Sequence, residues 1–400
     1  MIIIKAKLTN PKSPNAAPVD VSFPITEYES IYRTLAGAGI GGPVEQDCRV
    51  AEISGPFEVL SALRGQDVNV DELDYLAKRL ESFFEPEAQQ FEGTASARGI
   101  SSIEDFINLT FCCQRATVIT DFSDLRAIGR EHYLNKNGGC APVSEMEALD
   151  AEKEARDLIQ NENGTVTPYG VVYENGMELE QLYKGREFPA YLYDHCVMAA
   201  KAKSKTEPGA GSTWLYLPMP EVCADRALIR GCLSEPGDIS LDYEVVSLSS
   251  DVFRWIDPAT ETPESLNEMA GAIAGLDKGD TEKLCAIAEY AEPGSAKALR
   301  NLAQNTGLFD YYPDTSTPEE YGRKVIAESG YFKYDAELDG FYDFEKYGKW
   351  RMEQEAGEYI GGGYLCYRGF VSIEEVMAGV SSERMDIAEA PGMGMTMGGM

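Results

Sequence analysis

Histidine is scarce in this chain, and the short signatures of common enzyme active sites are absent. Only His132 and His195 occur in 400 residues, and neither lies in an HExxH segment or beside cysteines at the spacing of a zinc site. The sequence contains no GxSxG nucleophile elbow and no P-loop. His132 falls near the end of a predicted helix, where a structural role is favoured. We therefore expect a protein that is not an enzyme and has no cofactor.

Long apolar runs and paired cysteine motifs are also missing. No stretch of about 18 apolar residues occurs, which predicts that the chain has no membrane span. The first residues lack the pattern of a secretory signal peptide. The nine cysteines include no CxxC pair, which favours a reducing compartment over a disulfide framework. These observations predict a cytoplasmic protein.

Basic residues are too few to balance the acidic ones. There are 35 Lys and Arg against 67 Asp and Glu, so the net charge is −32. This balance excludes nucleic acid as a ligand, because binding it requires Lys and Arg to neutralise phosphates. An extended negative field favours a basic partner. Solubility or adaptation to high salt is the simpler alternative and stays open, although 22 tyrosines and nine cysteines are unlike a salt-adapted composition.

What the sequence does contain is a helical pattern that occurs twice. Residues 73–130 align without gaps to residues 266–323, and apolar residues spaced three and four apart predict the same run of helices in both. We therefore expect an internal duplication, with chance alignment of two amphipathic runs as the alternative. Identical positions include Leu73/Leu266, Ala77/Ala270, Ala95/Ala288, Ser102/Ser295, Asn108/Asn301, Leu109/Leu302, Asp121/Asp314, Gly129/Gly322 and Arg130/Arg323.

The order of predicted strands and helices indicates an α+β protein. β-rich segments near the start precede the helices, and Asn175-Gly176 is typical of a type I′ hairpin turn. We expect an elongated molecule with several small α+β modules in a row and two related halves. The expected parts are an N-terminal module with the helical block (1–115), a middle module with helices and a β-hairpin (116–205), a third module repeating the first (206–310), a C-terminal module (311–380) and a disordered tail (381–400).

Acid-dense helical stretches supply the candidate partner-binding carboxylates, which would act together as phosphate mimics. A surplus of 32 charges equals that of roughly 54 Å of duplex at one charge per about 1.7 Å. Asp335, Asp339 and Asp343 could alternatively hold Mg²⁺ or Ca²⁺ in a metal-dependent enzyme, but one such cluster among 67 acids is expected by chance, so we predict no metal. The candidates are Asp71, Glu72, Asp74, Glu81, Glu145, Glu147, Glu152, Glu154, Asp335, Asp339, Asp343 and Glu345.

Several segments resemble antirestriction proteins of the ArdA family, most closely the long forms from conjugative elements of Gram-positive bacteria. The resemblance covers roughly residues 20–370, although many family members are much shorter. It rests on LDYLAKRLESF, FINLTFCCQRATVITDFSDLRAIGREHYL, GTVTPYGVVYENGMELEQLY, TPEEYGRKVIAESG and DGFYDFEKYGKW.

The resemblance implies a DNA mimic. Such a protein is an elongated acidic homodimer that occupies the DNA groove of a type I restriction-modification enzyme, at its methyltransferase core, and so protects incoming mobile DNA. It binds neither nucleic acid nor membranes. An acidic inhibitor of another basic target, such as a CRISPR effector or a nucleoid protein, is the alternative.

Overall fold

The computed structural model has the α+β architecture expected from the sequence: helices interspersed with small antiparallel sheets. The prediction of this fold class is confirmed. The structure describes residues 2–13, 15–191, 196–207, 209, 211–235, 243–248, 254–328, 335–355 and 357–385. His195 and most of the expected tail (386–400) lie outside these residues.

Contacts divide the chain into two compact units. Unit 1 consists of Met1–Tyr191, Gly209–Thr213 and Pro220–Asp242. Unit 2 consists of Leu192–Pro208, Trp214–Met219 and Tyr243–Met400. Among the helices of the described residues, none is long and apolar enough to cross a bilayer.

Unit 1 begins with a four-stranded antiparallel sheet in the order β2-β1-β3-β4. Its strands are β1 (Ile4–Thr9), β2 (Val19–Phe23), β3 (Cys48–Ser54) and β4 (Asp67–Val68), and helix α1 (Tyr28–Gly37) follows β2. In β1 the buried Ala6 and Leu8 alternate with Lys5 and Lys7. This period of two is what a sheet with one face on the core requires.

Three helices cover the core of this sheet: α2 (Val70–Glu81), α3 (Glu85–Arg98) and α4 (Ile103–Leu109). Asn69 caps α2 in a capping box with Glu72, and Ser102 caps α4. Such caps satisfy backbone N–H groups that have no partner within the helix. Residues 70–77 of α2 are all buried, so this helix lies inside unit 1.

The next part of unit 1 is a three-stranded sheet in the order β5-β7-β6, packed with a helix pair. Its elements are β5 (Thr117–Ile119), α5 (Leu125–Lys136), α6 (Val143–Ala148), α7 (Ala151–Asn161), β6 (Thr165–Thr167) and β7 (Gly170–Tyr173). Asn175 and Gly176 have the positive φ angles predicted for their turn. No strand is assigned to residues 177–191, so the hairpin of this region is formed by β6 and β7 instead.

Unit 2 also runs from a first sheet through a block of three helices to a second sheet with a helix pair. Its first sheet has the order β10-β8-β9, and its second has the order β11-β13-β12. Helix α8 (Glu221–Arg230) belongs to unit 1, although it follows β9 in the chain. The remaining elements are β8 (Met198–Ser204), β9 (Ser212–Leu217), β10 (Tyr243–Leu248), α9 (Pro263–Ala274), α10 (Lys278–Ala291), α11 (Ala296–Gln304), β11 (Phe309–Pro313), α12 (Pro318–Glu328), α13 (Phe344–Glu355), β12 (Glu358–Ile360), β13 (Gly363–Tyr367) and α14 (Ile373–Ala378).

The two helical blocks keep a constant spacing. Helices α9, α10 and α11 each begin 193 positions after α2, α3 and α4, and β12 and β13 begin 193 positions after β6 and β7. Within each unit the second sheet places its last strand by sequence in the middle. Positions 193 apart therefore occupy corresponding places in the two units. Descent from one duplicated segment stays a prediction.

Several identical positions have the same structural role in both units. Ser102 and Ser295 cap the corresponding helices α4 and α11. The buried amides of Asn108 and Asn301 donate to the main chain at Tyr183 and Met377, respectively. The serines are needed as helix caps, and the asparagine amides link these helices to segments that come later in the chain.

The identical glycines Gly129 and Gly322 allow close helix packing. A Cβ atom at Gly129 would overlap the carbonyl oxygen of Ala151 where α5 meets α7, and one at Gly322 would overlap that of Phe344 where α12 meets α13. We expect Gly322→Ala to lower the free energy of unfolding by about 1–3 kcal/mol, the usual cost of overpacking. Chemical denaturation of the full-length protein measures this change in the free energy of unfolding.

The control for this substitution is Gly271→Ala in α9 of the same unit. No atom lies within 4 Å of a Cβ built at Gly271. Alanine should therefore raise the free energy of unfolding there by about 0.5–1 kcal/mol, because glycine disfavours a helix interior. Equal effects of the two substitutions would contradict the close packing at Gly322.

Candidate partner-binding surface

Three of the carboxylates predicted to face a partner are buried. Asp71, Glu72 and Asp74 are only 8%, 1% and 5% exposed. The prediction that they act as phosphate mimics is therefore wrong. Their helix is covered by the segment around Tyr183 and by α8, which lie far along the sequence. Glu81, the last residue of α2, remains exposed.

Each buried carboxylate has hydrogen-bond donors that compensate its loss of water. Asp71 accepts from the Arg226 guanidinium at 3.0 Å and from the Tyr32 hydroxyl at 2.7 Å. Burial raises the pKa of Glu72, whereas its bonds from the Asn69 amide and the Tyr183 hydroxyl act in the opposite direction.

Asp74 is held in the same way by three donors. It accepts from the Ile25 amide at 2.6 Å and from the Tyr28 hydroxyl at 3.0 Å, and its carboxylate lies 2.7 Å from the Lys78 ammonium. Burial, followed by the Asp74 charge, raises the pKa of Tyr28, so that hydroxyl remains a donor at neutral pH.

The middle group of candidates lies on α6 and at the start of α7 in unit 1. Glu145 and Glu147 are exposed, and Glu145 accepts from the Tyr133 hydroxyl at 2.9 Å. Glu152 is half-buried between Arg126 and Arg156, at 2.9 and 3.1 Å. Arginines therefore already balance part of this group.

Glu154 in this group contacts a histidine. Its carboxylate lies 3.5 Å from His132 Nε2 and 3.9 Å from the Lys136 ammonium. His132 is 2% exposed, and burial lowers its pKa, so the ring is neutral near pH 7. The Thr117 hydroxyl is 3.3 Å from its Nδ1. These contacts link α5 to β5 and α7, and the structural role of His132 stays a prediction.

The late group lies before and at the start of α13 in unit 2. Asp335 caps a short 3₁₀ helix (Ala336–Phe341) by accepting from the Glu337 amide, and Asp343 accepts from the Lys346 amide at 3.0 Å. Asp339 pairs with Arg323, and Glu345 pairs with Lys349. These carboxylates have separate structural partners instead of converging on one point.

No metal centre is formed by the described part of the chain, since no three His, Cys, Asp or Glu side chains come close enough to share an ion. Cys113, which sequence reasoning did not select, is fully buried, and burial raises the pKa of its thiol. A thiol of this kind is a poor nucleophile, because the thiolate is the reactive form.

The middle and late groups occupy corresponding places in the two units. Asp150 caps α7 as Asp343 caps α13, and these residues are 193 positions apart. The pairs Glu152–Arg156 and Glu345–Lys349 also correspond, each spanning one helical turn. We use the name helix-start acidic surfaces for five exposed carboxylates. They are Glu145 and Glu147 of α6, Asp150 at the start of α7, and Asp343 and Glu345 at the start of α13. Acids at a helix N-terminus are also stabilised by the helix dipole.

Sequence reasoning missed exposed acids outside its densest windows. Glu264 on α9 is exposed and has no hydrogen bond or ion pair among the described residues. Glu131 on α5 likewise has neither, and burial raises its pKa. Density of acids along the sequence was the wrong signal, because it does not distinguish carboxylates that already have donors from those that lack them.

Comparison with protein-family models and with curated proteins gives no match for this chain.

Proposed function

We propose that the protein is a non-enzymatic, acidic mimic of duplex DNA. It binds in the cytoplasm, as a homodimer, to the DNA groove of a type I restriction-modification enzyme and so protects mobile DNA that enters the cell. The observation that carries the proposal is the net charge of −32 together with exposed carboxylates at corresponding places in two units of similar architecture.

Electrostatics gives such a protein its means of binding. A groove that binds DNA is lined by Lys and Arg, and its positive field also attracts any other polyanion of suitable spacing. Many carboxylates would each contribute modestly, as phosphates do, and affinity would fall steeply with added salt. The same charges suit other basic grooves, so an inhibitor of a CRISPR effector or a nucleoid protein is the second candidate.

Charge reversal tests the proposal. We expect the quadruple substitution of Glu81, Glu145, Glu147 and Glu345 by lysine to weaken displacement of labelled duplex DNA from a purified type I methyltransferase core at least about tenfold, or about 1.4 kcal/mol. These side chains are exposed, so their reversal should leave the fold intact. Fluorescence anisotropy at several salt concentrations measures the displacement.

A matched control separates position from net charge. Substitution of Glu27, Glu29, Asp157 and Glu353 by lysine changes the net charge equally, from −32 by eight units to −24, at exposed carboxylates that are not among the predicted partner-binding candidates. We expect a smaller loss for this variant. Failure of the unsubstituted protein to displace DNA from the methyltransferase core would overturn the proposal, and displacement from another basic protein alone would support the second candidate.

A further inference from the structure

Unit 1 contains a cavity of about 510 Å³ beside α3, β5 and α5. Four carboxylates line it, and no Lys, Arg or His is among its lining residues. The remaining lining residues include Gln89, Gln90, Gln114 and Asn135, which carry amide side chains, and Thr120. The four acids are Glu87, Asp121, Asp124 and Glu131.

Two of these carboxylates have local structural roles. Asp121 accepts from the amide and hydroxyl of Ser123, and these bonds lower its pKa. Asp124 caps α5 by accepting from the amides of Arg126 and Ala127. Asp121 therefore stays negatively charged at neutral pH, and none of the residues that line the cavity is a Lys, Arg or His that could neutralise it.

Glu87 and Glu131, like the first two acids, form no ion pair with Lys, Arg or His among the described residues. Glu87 accepts only from neutral donors, the Phe84 amide at 3.0 Å and the Gln114 side chain at 3.5 Å. Glu131 has no hydrogen bond or ion pair in the part of the chain that the structure describes. A partly desolvated carboxylate is stabilised by a nearby cation.

The corresponding positions of unit 2 contain such cations. Glu131 corresponds to Lys324, whose ammonium donates to the carbonyl oxygen of Pro313 at the end of β11. Pro313 corresponds to Thr120, which lines the cavity of unit 1. In unit 2, therefore, an internal lysine brings its ammonium to the place where unit 1 has a carboxylate and an open space.

A second lysine repeats this difference. Gln90 and Glu87 of unit 1 correspond to Lys283 and Asp280 of unit 2. The Lys283 ammonium lies 3.0 Å from the Asp280 carboxylate and 3.4 Å from the carbonyl oxygen of Thr306. Where unit 2 satisfies a carboxylate with its own lysine, unit 1 has a neutral glutamine.

We propose that the cavity of unit 1 binds the side-chain ammonium of a lysine from a basic partner protein. The partner's ammonium occupies the position that corresponds to the Lys324 and Lys283 ammonium groups of unit 2. Glu131 and Glu87 are its counterions, and the Thr120 carbonyl is a further acceptor. The choice of partner rests on the proposed function, whereas the recognition of an alkylammonium group does not.

A small probe tests the site without any restriction enzyme. The protein is titrated with n-butylammonium chloride at constant ionic strength, and the methyl NMR signals of Ile119 and Ile128, which line the cavity, are followed. We expect saturable shifts. Glu131→Lys supplies the internal ammonium of unit 2 and should weaken butylammonium binding at least about tenfold. An unchanged affinity in this variant, or equal shifts with sodium chloride, would overturn the proposal.

Two controls complete the experiment. Asp157→Lys makes the same charge change at an exposed carboxylate of unit 1 that does not line the cavity, and it should retain binding. Glu131→Gln removes the charge without adding an ammonium and should show intermediate weakening. Circular dichroism and denaturation verify that each variant is folded.

The source of the ammonium is tested separately with a lysine-containing tripeptide and with spermidine. Binding of the peptide through the same methyl signals supports a protein side chain. Binding of spermidine without binding of the peptide would overturn the assignment to a partner protein. Because neither arm involves DNA or a methyltransferase, a negative result here is distinct from failure of the proposed function.

Discussion

Substitution of Arg226 by alanine is expected to lower the free energy of unfolding of unit 1 by about 3–5 kcal/mol, the usual cost of removing one partner of a buried ion pair. The Arg226 guanidinium donates to Asp71 and to the carbonyl oxygens of Gly41 and Gly42 at 2.9 to 3.0 Å. It also lies 4.0 Å above the Tyr32 ring. Its loss leaves a charged carboxylate in the core of unit 1 with one neutral donor.

The control is Arg126→Ala, which removes an arginine–glutamate pair of similar length at the surface. The Arg126 side chain is 78% exposed, and exposed pairs contribute about 0–1 kcal/mol. Asp71→Asn combined with Arg226→Ala should cost less than the sum of the two single substitutions, because the buried charge is then removed as well. Urea denaturation provides all four values, and additivity of the pair would contradict direct coupling.

The second large effect is expected at Glu355 in unit 2, whose side chain is fully buried. Its carboxylate contacts Arg351 and the Tyr321 hydroxyl, and it lies 2.9 Å from the Arg368 guanidinium. Glu355→Gln keeps the shape and removes the charge. We expect a loss of about 3–5 kcal/mol, because Arg351 then has no counterion among the described residues and Arg368 must share Asp310 with Arg384.

Glu353→Gln is the matched control for this second prediction. It makes the same change two residues earlier on α13 at an exposed position, where surface substitutions usually change stability by less than about 0.5 kcal/mol. Thermal and urea denaturation measure both variants. A Glu355→Gln variant as stable as Glu353→Gln would show that the buried cluster contributes little.

The two units differ in the side chains that fill the core beside the helix pair, which is α5 and α7 in unit 1 and α12 and α13 in unit 2. Ile128, Leu158 and Val171 of unit 1 correspond to Tyr321, Arg351 and Tyr364 of unit 2. The first set forms an apolar cluster, whereas the second surrounds Glu355. Apolar spacing along the sequence cannot predict a buried charged cluster of this kind, because the cluster includes Arg368, which follows β13 and lies 13 positions after Glu355.

The helical blocks could be predicted from the sequence because their signals are local. Apolar spacing marks the buried faces of α2 and α9, and Ser102 and Ser295 mark helix starts three residues before the amides they cap. Such features involve residues within one or two turns of each other. A constant spacing of 193 then relates one block to the other.

The candidate site was harder to predict because it depends on contacts between distant residues. Asp71 is buried by Arg226, which lies 155 positions further along the chain, and Glu72 is bonded to Tyr183, at a separation of 111 positions. The sequence of α2 alone does not indicate that these distant residues bury its carboxylates. The cavity at Glu131 is likewise lined by residues that range from Pro86 to Gly139 along the chain. The contrast between Glu131 and Lys324 depends on the correspondence of the two units.

The recurrence of the same strands and helices has a consequence for refolding. During refolding, a strand of one unit could pair with the corresponding sheet of the other unit. Such misassembly is a characteristic failure of proteins with repeated architecture. Ten identities in 58 aligned positions leave the two units far apart in side-chain volume and charge. Buried charges such as Glu355 in one unit and aliphatic residues in the other penalise the wrong partner, so these differences between the units favour correct assembly.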